Sequence, residues 1–229
     1  VVLIADWILN IAGSLIIILI IYSGVRFLIS RGNPGEIQTA KNILFWALVG
    51  FGVVLIGKGF ILLIESVLQG KIFIYPTDTI YGLGCNALDE SAVQKIKKIK
   101  GRDEKKPLSI IAPSIFWIKE NFIVDVNLAK YFPGPYTVIL KKKNPEFLKW
   151  ISTGESIGIR IPDNIFCKKI QKAGVPFVTT SVNISGEKPI TNISELSDKI
   201  KKQVDIIIDA DIVNGKPSTL IINGKEVER

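Results

Sequence analysis

The sequence contains no histidine, no methionine and only two cysteines. Without histidine, the protein cannot use an imidazole as a general acid or base or as a metal ligand. Cys85 and Cys167 have neither the spacing of a metal motif nor the number needed for a disulfide framework, which fits a reducing compartment. Because methionine is absent, the chain does not begin at its own start codon, and we expect a fragment or a processed product.

Charge is distributed unevenly along the 229 residues, whose net charge is +8. Residues 7–29 and 43–64 are almost entirely apolar, and most of the charge follows them. Lysine clusters at 95–106 and 141–143 favour an anionic partner, either a nucleotide or RNA. A solvated lysine-rich surface is the alternative, and it is the interpretation that we favour for the cluster at 199–202.

The two apolar segments predict membrane-spanning helices. Residues 7–29 can cross a hydrocarbon layer of about 30 Å at a rise of about 1.5 Å per residue. The second segment, 43–57, continues through 60–64 past Lys58, whose long side chain can snorkel to the membrane surface. We therefore expect membrane contact through residues 7–64. A buried helical hairpin of a soluble protein is the alternative, but such helices usually carry a polar stripe.

A short connection joins the two predicted spans. Residues 30–36 interrupt the helix with glycine and proline. With its flanks, the connection is similar to that of the two-helix, TrbC-type pilin-related proteins of type IV secretion systems, over about residues 5–68. We assign residues 1–69 to a transmembrane α-helical hairpin and residues 70–229 to a second domain.

In the second domain, apolar β-branched and aromatic runs alternate with amphipathic segments. The predicted strands are 71–75, 108–111, 136–140, 156–161, 177–181, 204–209 and 219–222. The predicted helices are 89–99, capped by Asp89, and 125–132, 163–173 and 193–200. This alternation indicates an α/β domain with a mixed sheet.

Polar side chains cluster where the first of these strands ends. Residues 75–84 read Tyr-Pro-Thr-Asp-Thr-Ile-Tyr-Gly-Leu-Gly, Lys100-Gly101-Arg102 follows a predicted helix, and Ser181-Val182-Asn183 follows a predicted strand. If the chain is extended after the helix, Lys100 and Arg102 point the same way. Hydroxyls, an amide and two cations suit a site that holds an amino acid against a nucleotide phosphate.

Further motifs follow in order over residues 70–229: Lys106-Pro107-Leu108, Phe132-Pro133-Gly134-Pro135, Gly158-Ile159-Arg160-Ile161-Pro162, Ser181-Val182-Asn183-Ile184-Ser185-Gly186 and Ser218-Thr219. The whole series resembles the YrdC-like family of threonylcarbamoyl-AMP synthases. The resemblance implies an α/β fold with a twisted open mixed sheet and flanking helices. It also implies that L-threonine, bicarbonate and ATP are converted to threonylcarbamoyl-AMP and pyrophosphate, for the threonylcarbamoyladenosine modification of tRNA.

The resemblance also implies roles for individual residues. The catalytic pair is Lys100 and Arg102, which hold the triphosphate. The nucleotide contacts are Lys100, Arg102, Ser181, Asn183, Ser218 and Thr219, and the threonine contacts are Thr77, Thr79, Tyr81 and Arg160. Mg²⁺ would arrive with the triphosphate, without a metal site of the protein, and tRNA and a downstream threonylcarbamoyl transferase are possible partners.

Two other functions fit parts of the sequence. One is an RNA-binding module of the same fold without synthase activity, although such a module need not keep Lys100 and Asn183 together. The other is a pilin-like membrane subunit fused to the enzyme by misjoining. Residues 82–87 read Gly-Leu-Gly-Cys-Asn-Ala and fit a dinucleotide-binding pattern, but six residues separate Tyr75 from the first glycine, whereas such a site needs a direct turn from strand to glycine.

The charges around the connection bear on localisation. Arg26, Arg31 and Lys41 outweigh Glu36, and positive loops favour the cytoplasm. Two spans would then place residues 70–229 outside, away from ATP. Because the reaction needs intracellular ATP, we expect a membrane-tethered enzyme with a cytoplasmic catalytic domain, or a cytoplasmic enzyme if the fusion is artefactual.

Overall fold

The computed structural model describes residues 2–101, 103, 106–210, 212–213 and 215–227. The chain divides into two compact units between Glu65 and Ser66.

The first unit consists of helix α1 (Val2–Ile29) and most of helix α2 (Pro34–Leu68). Proline at the start of α2 is favourable, because the first helical position has no hydrogen-bond acceptor for its N–H group. The connecting turn is therefore shorter than predicted. Both helices are long and apolar enough to span a membrane.

Polar contacts join the two helices at both ends. Near the turn, the Ser23 hydroxyl donates to the Ala40 carbonyl at 2.7 Å. Far from the turn, the Lys58 ammonium donates to the Asn10 side-chain oxygen at 2.5 Å. These pairings require the helices to run antiparallel, and such interhelical hydrogen bonds hold helices together where no hydrophobic driving force acts between them.

The second unit contains a ten-stranded mixed sheet in the order β10-β9-β5-β6-β3-β7-β2-β1-β8, with β4 paired to β5. Its strands are β1 (Phe73–Tyr75), β2 (Gly82–Gly84), β3 (Ser109–Ile111), β4 (Phe122–Ile123), β5 (Tyr136–Lys142), β6 (Ser156–Arg160), β7 (Phe177–Ser181), β8 (Ile206–Ile207), β9 (Thr219–Ile222) and β10 (Lys225–Val227). The helices of this unit are α3 (Glu90–Ile99), α4 (Ile115–Asn121), α5 (Ile165–Gln171) and α6 (Asp198–Lys201).

The predicted α/β class with a mixed sheet is confirmed. Strands β7 and β9 coincide with their predicted ranges, and α3 begins after Asp89, whose carboxylate accepts the Ala92 N–H group as expected of a cap. Helices α5 and α6 are shorter than the predicted 163–173 and 193–200.

The helix predicted over 125–132 is wrong. Only a 3₁₀ turn, Leu128–Lys130, forms there, capped by the Asn127 side chain. Pro133 disfavours helical backbone at Phe132, so one turn is all that fits between cap and proline. Four short elements, β2, α4, β4 and β10, were not predicted. Two of the three residues of β2 are glycine, which is uncommon in strands, so its sequence does not predict a strand.

The central strands have one apolar and one polar face. Ile110 pairs with Ile159 on β6 and with Val178 on β7, and all three are buried in the core. Side chains alternate along a strand, so the neighbouring positions face the other way. That opposite surface, which we call the polar face, carries Ser109, Thr137, Gly158, Arg160, Thr179 and Ser181.

Candidate substrate-binding site

A cavity of about 260 Å³ opens on the polar face. Hydroxyl-bearing and small residues dominate its lining, together with one arginine: Thr77, Ile80, Tyr81, Gly82, Pro107, Ser109, Thr137, Arg160, Thr179, Thr180, Ser181 and Ser218. Such a surface offers many hydrogen bonds and positive charge, and therefore suits a polar, anionic ligand.

Glycine on the polar face leaves the space that becomes the cavity. A Cβ atom on Gly158 would lie 2.6 Å from the Ser109 Oγ and 2.9 Å from the Thr137 Cγ2. A Cβ atom on Gly82 would lie 2.9 Å from the ring of Tyr75. Both distances are shorter than van der Waals contact, so a larger residue at Gly158 would displace the lining residues Ser109 and Thr137, and one at Gly82 would displace the Tyr75 ring behind the cavity wall.

Lys100 connects the end of α3 to the end of β7. Its ammonium group donates to the Ser181 carbonyl at 2.6 Å, to the Asn183 carbonyl at 3.0 Å and to the Asn183 Oδ1 at 2.8 Å. The Ser181 hydroxyl donates to the same Asn183 Oδ1 at 2.5 Å. Lys100 is 2% exposed, so its charge is held in a low-dielectric setting beside a residue of the cavity wall.

The backbone after α3 differs from the expectation of extended chain. Lys100 has helical angles (φ −76°, ψ −10°) and Gly101 a positive φ of 56°. Helices often end this way, because a glycine in the left-handed region lets the last carbonyls accept hydrogen bonds. The expectation of extended backbone after α3 is therefore wrong, and the direction of the Arg102 side chain relative to Lys100 stays a prediction. Arg102 itself lies outside the described residues.

Arg160, at the end of β6, is held by the loop between β1 and β2. Its Nη2 donates to the Asp78 Oδ1 at 2.7 Å and to the Thr79 Oγ1 at 3.1 Å. The second Asp78 oxygen accepts the Asp163 N–H group at 3.1 Å. The Nε atom of Arg160 is buried and has no hydrogen-bond partner among the described residues.

The hydroxyls of Thr77 and Thr79 continue this network. Thr77 donates to the Ile80 carbonyl at 2.7 Å and accepts the Thr79 N–H group at 3.1 Å. The Thr79 hydroxyl lies 3.0 Å from that of Thr77. Because Thr77 donates its only hydroxyl proton to Ile80, the Thr79 hydroxyl is the donor to Thr77, and it accepts from Arg160. Each group in this series donates to the next, from Arg160 through Thr79 and Thr77 to the Ile80 carbonyl. All hydrogen-bonding positions of the Thr77 hydroxyl are therefore used within the loop.

Tyr81 contributes its ring to the cavity and its hydroxyl to another segment. The hydroxyl donates to the Asp209 carboxylate at 3.2 Å and accepts the Ala210 N–H group at 3.0 Å. Nearby, the Gly215 N–H group donates to the Thr79 carbonyl at 2.9 Å. The chain after β8 is therefore attached at two points to the loop that bears Thr79 and Tyr81.

Ser218 closes the side of the cavity formed by β5. Its hydroxyl lies 2.7 Å from that of Thr137, and both side chains are buried. Thr219 begins β9, where its N–H group donates to the Pro135 carbonyl at 3.0 Å. Ser218 thus lines the cavity, whereas Thr219 joins β9 to the residue just before β5 through a backbone hydrogen bond.

Five of the predicted site residues line the cavity: Thr77, Tyr81, Arg160, Ser181 and Ser218. Lys100, Thr79 and Asn183 contact members of this group. Sequence reasoning missed Ser109 and Thr137, each the single serine or threonine of its strand, and Thr179, which precedes Thr180 and Ser181 in β7. Their alternation with buried aliphatic residues was the available signal for a polar face.

Two further observations bear on the chemistry, one on a buried thiol and one on metal ligands. Burial raises the pKa of the Cys167 thiol to about 12, even though the Arg160 charge opposes the shift. This thiol is therefore protonated at neutral pH and a poor nucleophile. Among the described residues, no group of three or more cysteine, aspartate or glutamate side chains could hold a metal ion.

Two family models match the chain. Residues 65–227 match the Sua5/YciO/YrdC family, which is described as telomere recombination. Residues 3–63 match the type IV secretion system pilin family. A putative threonylcarbamoyl-AMP synthase of Methanocaldococcus jannaschii is 41% identical over 162 residues, covering 69% of this chain and 76% of the relative.

Solved structures show the same fold. Sua5 of Pyrococcus abyssi, complexed with L-threonine, is 29% identical with a TM-score of 0.63, and the match covers 70% of this chain and 49% of that one. The present chain thus spans about half the length of that protein. YciO of Escherichia coli is 29% identical with a TM-score of 0.62, and the match covers 72% of this chain and 83% of the other.

The fold and the cavity define an α/β protein with a polar cavity, lined in part by Arg160, on one face of a mixed sheet. The chain belongs to the Sua5/YciO/YrdC family through residues 65–227. An apolar helical pair that matches the pilin model precedes this domain.

Proposed function

We propose that residues 66–229 form an L-threonylcarbamoyladenylate synthase of the nucleotidyltransferase class. The observation that carries the proposal is that Arg160 and Ser181 line the same cavity and that Lys100 is hydrogen-bonded directly to Ser181. Two cationic groups around one polar cavity suit a site that holds an amino-acid carboxylate close to a nucleoside triphosphate. The threonine bound by Sua5 of Pyrococcus abyssi and the name of the Methanocaldococcus relative support the substrate assignment.

The proposed reaction has two steps. The threonine nitrogen first condenses with bicarbonate, releasing water and forming a carbamate. A carbamate oxygen then attacks the α-phosphorus of ATP, and the bond to the bridging oxygen of the β-phosphate breaks, so that pyrophosphate leaves. The protein contributes positioning and charge neutralisation, which is how most phosphoryl-group chemistry is accelerated.

On the nucleotide side, Lys100 neutralises phosphate oxygens together with Arg102. Ser181 and Asn183 contact the nucleotide while fixing the Lys100 ammonium group. Ser218 and Thr219 close the cavity around phosphate. Mg²⁺ enters as the complex of the triphosphate, as expected for ATP-dependent enzymes without a dedicated metal cage.

On the amino-acid side, Arg160 receives the threonine carboxylate, because its planar guanidinium matches a carboxylate in shape and charge. Tyr81 bounds the pocket with its ring. Thr77 and Thr79 complete the group by supporting Arg160 and the loop. The product then passes to a downstream transferase that modifies tRNA.

Product identification tests the proposal. The 229-residue chain in detergent micelles is incubated with ATP, Mg²⁺, L-threonine and ¹³C-bicarbonate, and the mixture is separated by liquid chromatography with mass detection. We expect an adenylate that contains both threonine and the ¹³C label. An adenylate without the label, or an equal yield with valine in place of threonine, would refute the substrate assignment.

We further propose that α1 and α2 tether this enzyme to a membrane with the catalytic domain in the cytoplasm. Arg26 and Glu36 form an ion pair at 2.9 Å, which leaves Arg31 and Lys41 as the positive excess of the turn. Two excess positive charges favour a cytoplasmic turn only weakly, and the requirement of the enzyme for intracellular ATP outweighs this preference. The turn therefore lies outside.

A second candidate concerns the first unit alone. The match of residues 3–63 to the pilin family favours a pilin-like membrane subunit that was joined to the enzyme by misassembly of the reading frame. A single sequencing read across codons 64–72 of the source DNA separates the possibilities. An uninterrupted frame supports a physiological fusion, and an interruption supports two separate proteins.

A further inference from the structure

The loop between β1 and β2 is fixed to the end of β6 by a single carboxylate. Asp78 accepts from the Arg160 Nη2 at 2.7 Å through one oxygen and from the Asp163 N–H group at 3.1 Å through the other. Thr79, the next residue, adds a third contact through its hydroxyl, 3.1 Å from the same Nη2 atom. Both oxygens of Asp78 therefore act on the position of the Arg160 side chain and on the chain that follows it.

The ion pair is nearly removed from water. The Arg160 side chain is 8% exposed and the Asp78 side chain 10% exposed. A buried ion pair contributes little net stability, because desolvation of both charges offsets their attraction. Fold stability alone therefore does not explain this pair, and its place in the cavity wall points to the ligand.

Only some of the N–H donors of the Arg160 guanidinium are hydrogen-bonded to other described residues. Nη2 has two acceptors, whereas Nε is buried without a partner among the described residues. An arginine with all of its N–H groups bound would have no donor left for a substrate. The arrangement fixes one corner of the planar group and leaves hydrogen-bonding capacity on the rest.

We infer that Asp78 is a positioning residue for threonine, orienting Arg160 so that its remaining N–H groups meet the substrate carboxylate; this inference rests on the proposed function. Thr79 is the second contact of the same clamp. Because the long Arg160 side chain is already fixed before the substrate arrives, binding does not have to pay the full entropic cost of ordering it. Asp78 also compensates part of the Arg160 charge, which favours a single carboxylate at this end of the cavity over a triphosphate.

The test compares Asp78→Asn with the wild-type chain in detergent micelles. The amide keeps the size of the side chain but can accept at only one of the two positions. We expect the KM for threonine to rise by about tenfold, which corresponds to about 1.4 kcal/mol of binding free energy. The KM for ATP should stay within about twofold of the wild type, because Lys100 and not Arg160 serves the triphosphate.

Glu155→Gln is the matched control. It removes a carboxylate from an exposed ion pair with Lys141, in which the Glu155 side chain is 72% exposed, just before β6 begins. Both KM values should remain at the wild-type level. If Asp78→Asn does not fold, as judged by circular dichroism, Thr79→Val removes the second contact at nearly constant volume and should also raise the KM for threonine selectively.

Two outcomes would overturn the inference and one would overturn its basis. An unchanged KM for threonine in folded Asp78→Asn excludes the positioning role. An equal rise in both KM values with a lowered melting temperature indicates a purely structural ion pair. If the wild-type chain itself releases pyrophosphate without threonine, the proposed function fails first and the inference fails with it.

Discussion

The Lys100 ammonium group lies 2.8 Å from the side-chain oxygen of Asn183, although 83 positions separate the two residues. This contact joins the C-terminal end of α3 to the chain just after β7. The end of a buried strand in an open α/β sheet is a common place for ligands. Lys100 therefore has a fixed position beside the cavity before any substrate binds.

Replacement of this lysine tests its role. Lys100→Ala and Arg102→Ala should each lower kcat/KM for ATP by about tenfold or more, or about 1.4 kcal/mol of transition-state stabilisation, because each removes a cation assigned to phosphate. Steady-state pyrophosphate release measures the effect. Lys98→Ala, which removes an exposed lysine from the same helix, should keep the wild-type rate. Wild-type kinetics in folded Lys100→Ala would reduce the lysine to a structural link between α3 and β7.

Packing on the polar face gives a second prediction. Gly158→Ala introduces a Cβ atom 2.6 Å from the Ser109 Oγ and 2.9 Å from the Thr137 Cγ2, so these side chains or the strands that carry them must shift. We expect the free energy of unfolding to fall by about 1–3 kcal/mol, the usual cost of overpacking, with weaker substrate binding. Thermal unfolding of the chain in detergent measures it.

Gly154→Ala is the control for this change, because its nearest atom, the Ser152 Oγ, lies at an ordinary contact distance of 3.6 Å. Equal melting temperatures for the two alanine variants would contradict the prediction that a Cβ atom at Gly158 overpacks the cavity wall.

The two cysteines should be inert in the native protein. Burial raises the pKa of the Cys167 thiol to about 12, and it also raises the pKa of the Cys85 thiol. At pH 8 we expect neither to react with a thiol-specific reagent until the chain is unfolded in guanidinium, when both should react. Rapid labelling of the native chain would contradict the burial of these side chains.

The raised pKa values of the two buried thiols predict that the folded protein loses stability at alkaline pH. The folded state keeps the thiol protons to higher pH than the unfolded state, whose thiols titrate near pH 9. The unfolded chain therefore binds fewer protons above that pH, and the free energy of unfolding falls as the pH rises further. Replacing both cysteines by alanine should reduce this slope in pH-dependent melting experiments.

Trypsin added to spheroplasts tests the membrane arrangement. If the turn lies outside, the exposed Arg31 should be cut while the C-terminal domain stays intact, as followed with an antibody against a C-terminal tag. Permeabilised cells provide the positive control for digestion. Loss of the C-terminal domain in intact spheroplasts would place it outside and favour the pilin-like interpretation.

Much of the fold followed from local patterns. The cap at Asp89 and the range of β7 depend on neighbouring residues, so the sequence was sufficient for them. The contact between Asp78 and Arg160 depends on how β6 meets the loop after β1, across 82 positions. No local pattern encodes such a pairing.

The missed site residues have a similar explanation. Thr137 lies in an apolar strand, where threonine is also favoured for its branched side chain, so its hydroxyl gave no clear sign of a cavity. Only the register of β5, β6 and β3 shows that Thr137 and Ser109 share the polar face with Gly158. The motif residues, in contrast, were found because the family resemblance joined them.

Pyrophosphate release in four parallel mixtures tests the central claim most directly. The 229-residue chain receives ATP and Mg²⁺ alone, with threonine, with bicarbonate, or with both, in degassed buffer. We predict pyrophosphate above background only in the complete mixture, because the carbamate that attacks the α-phosphorus needs both co-substrates. Equal release in the mixture without threonine would contradict the assignment of this cavity to threonylcarbamoyl-AMP synthesis.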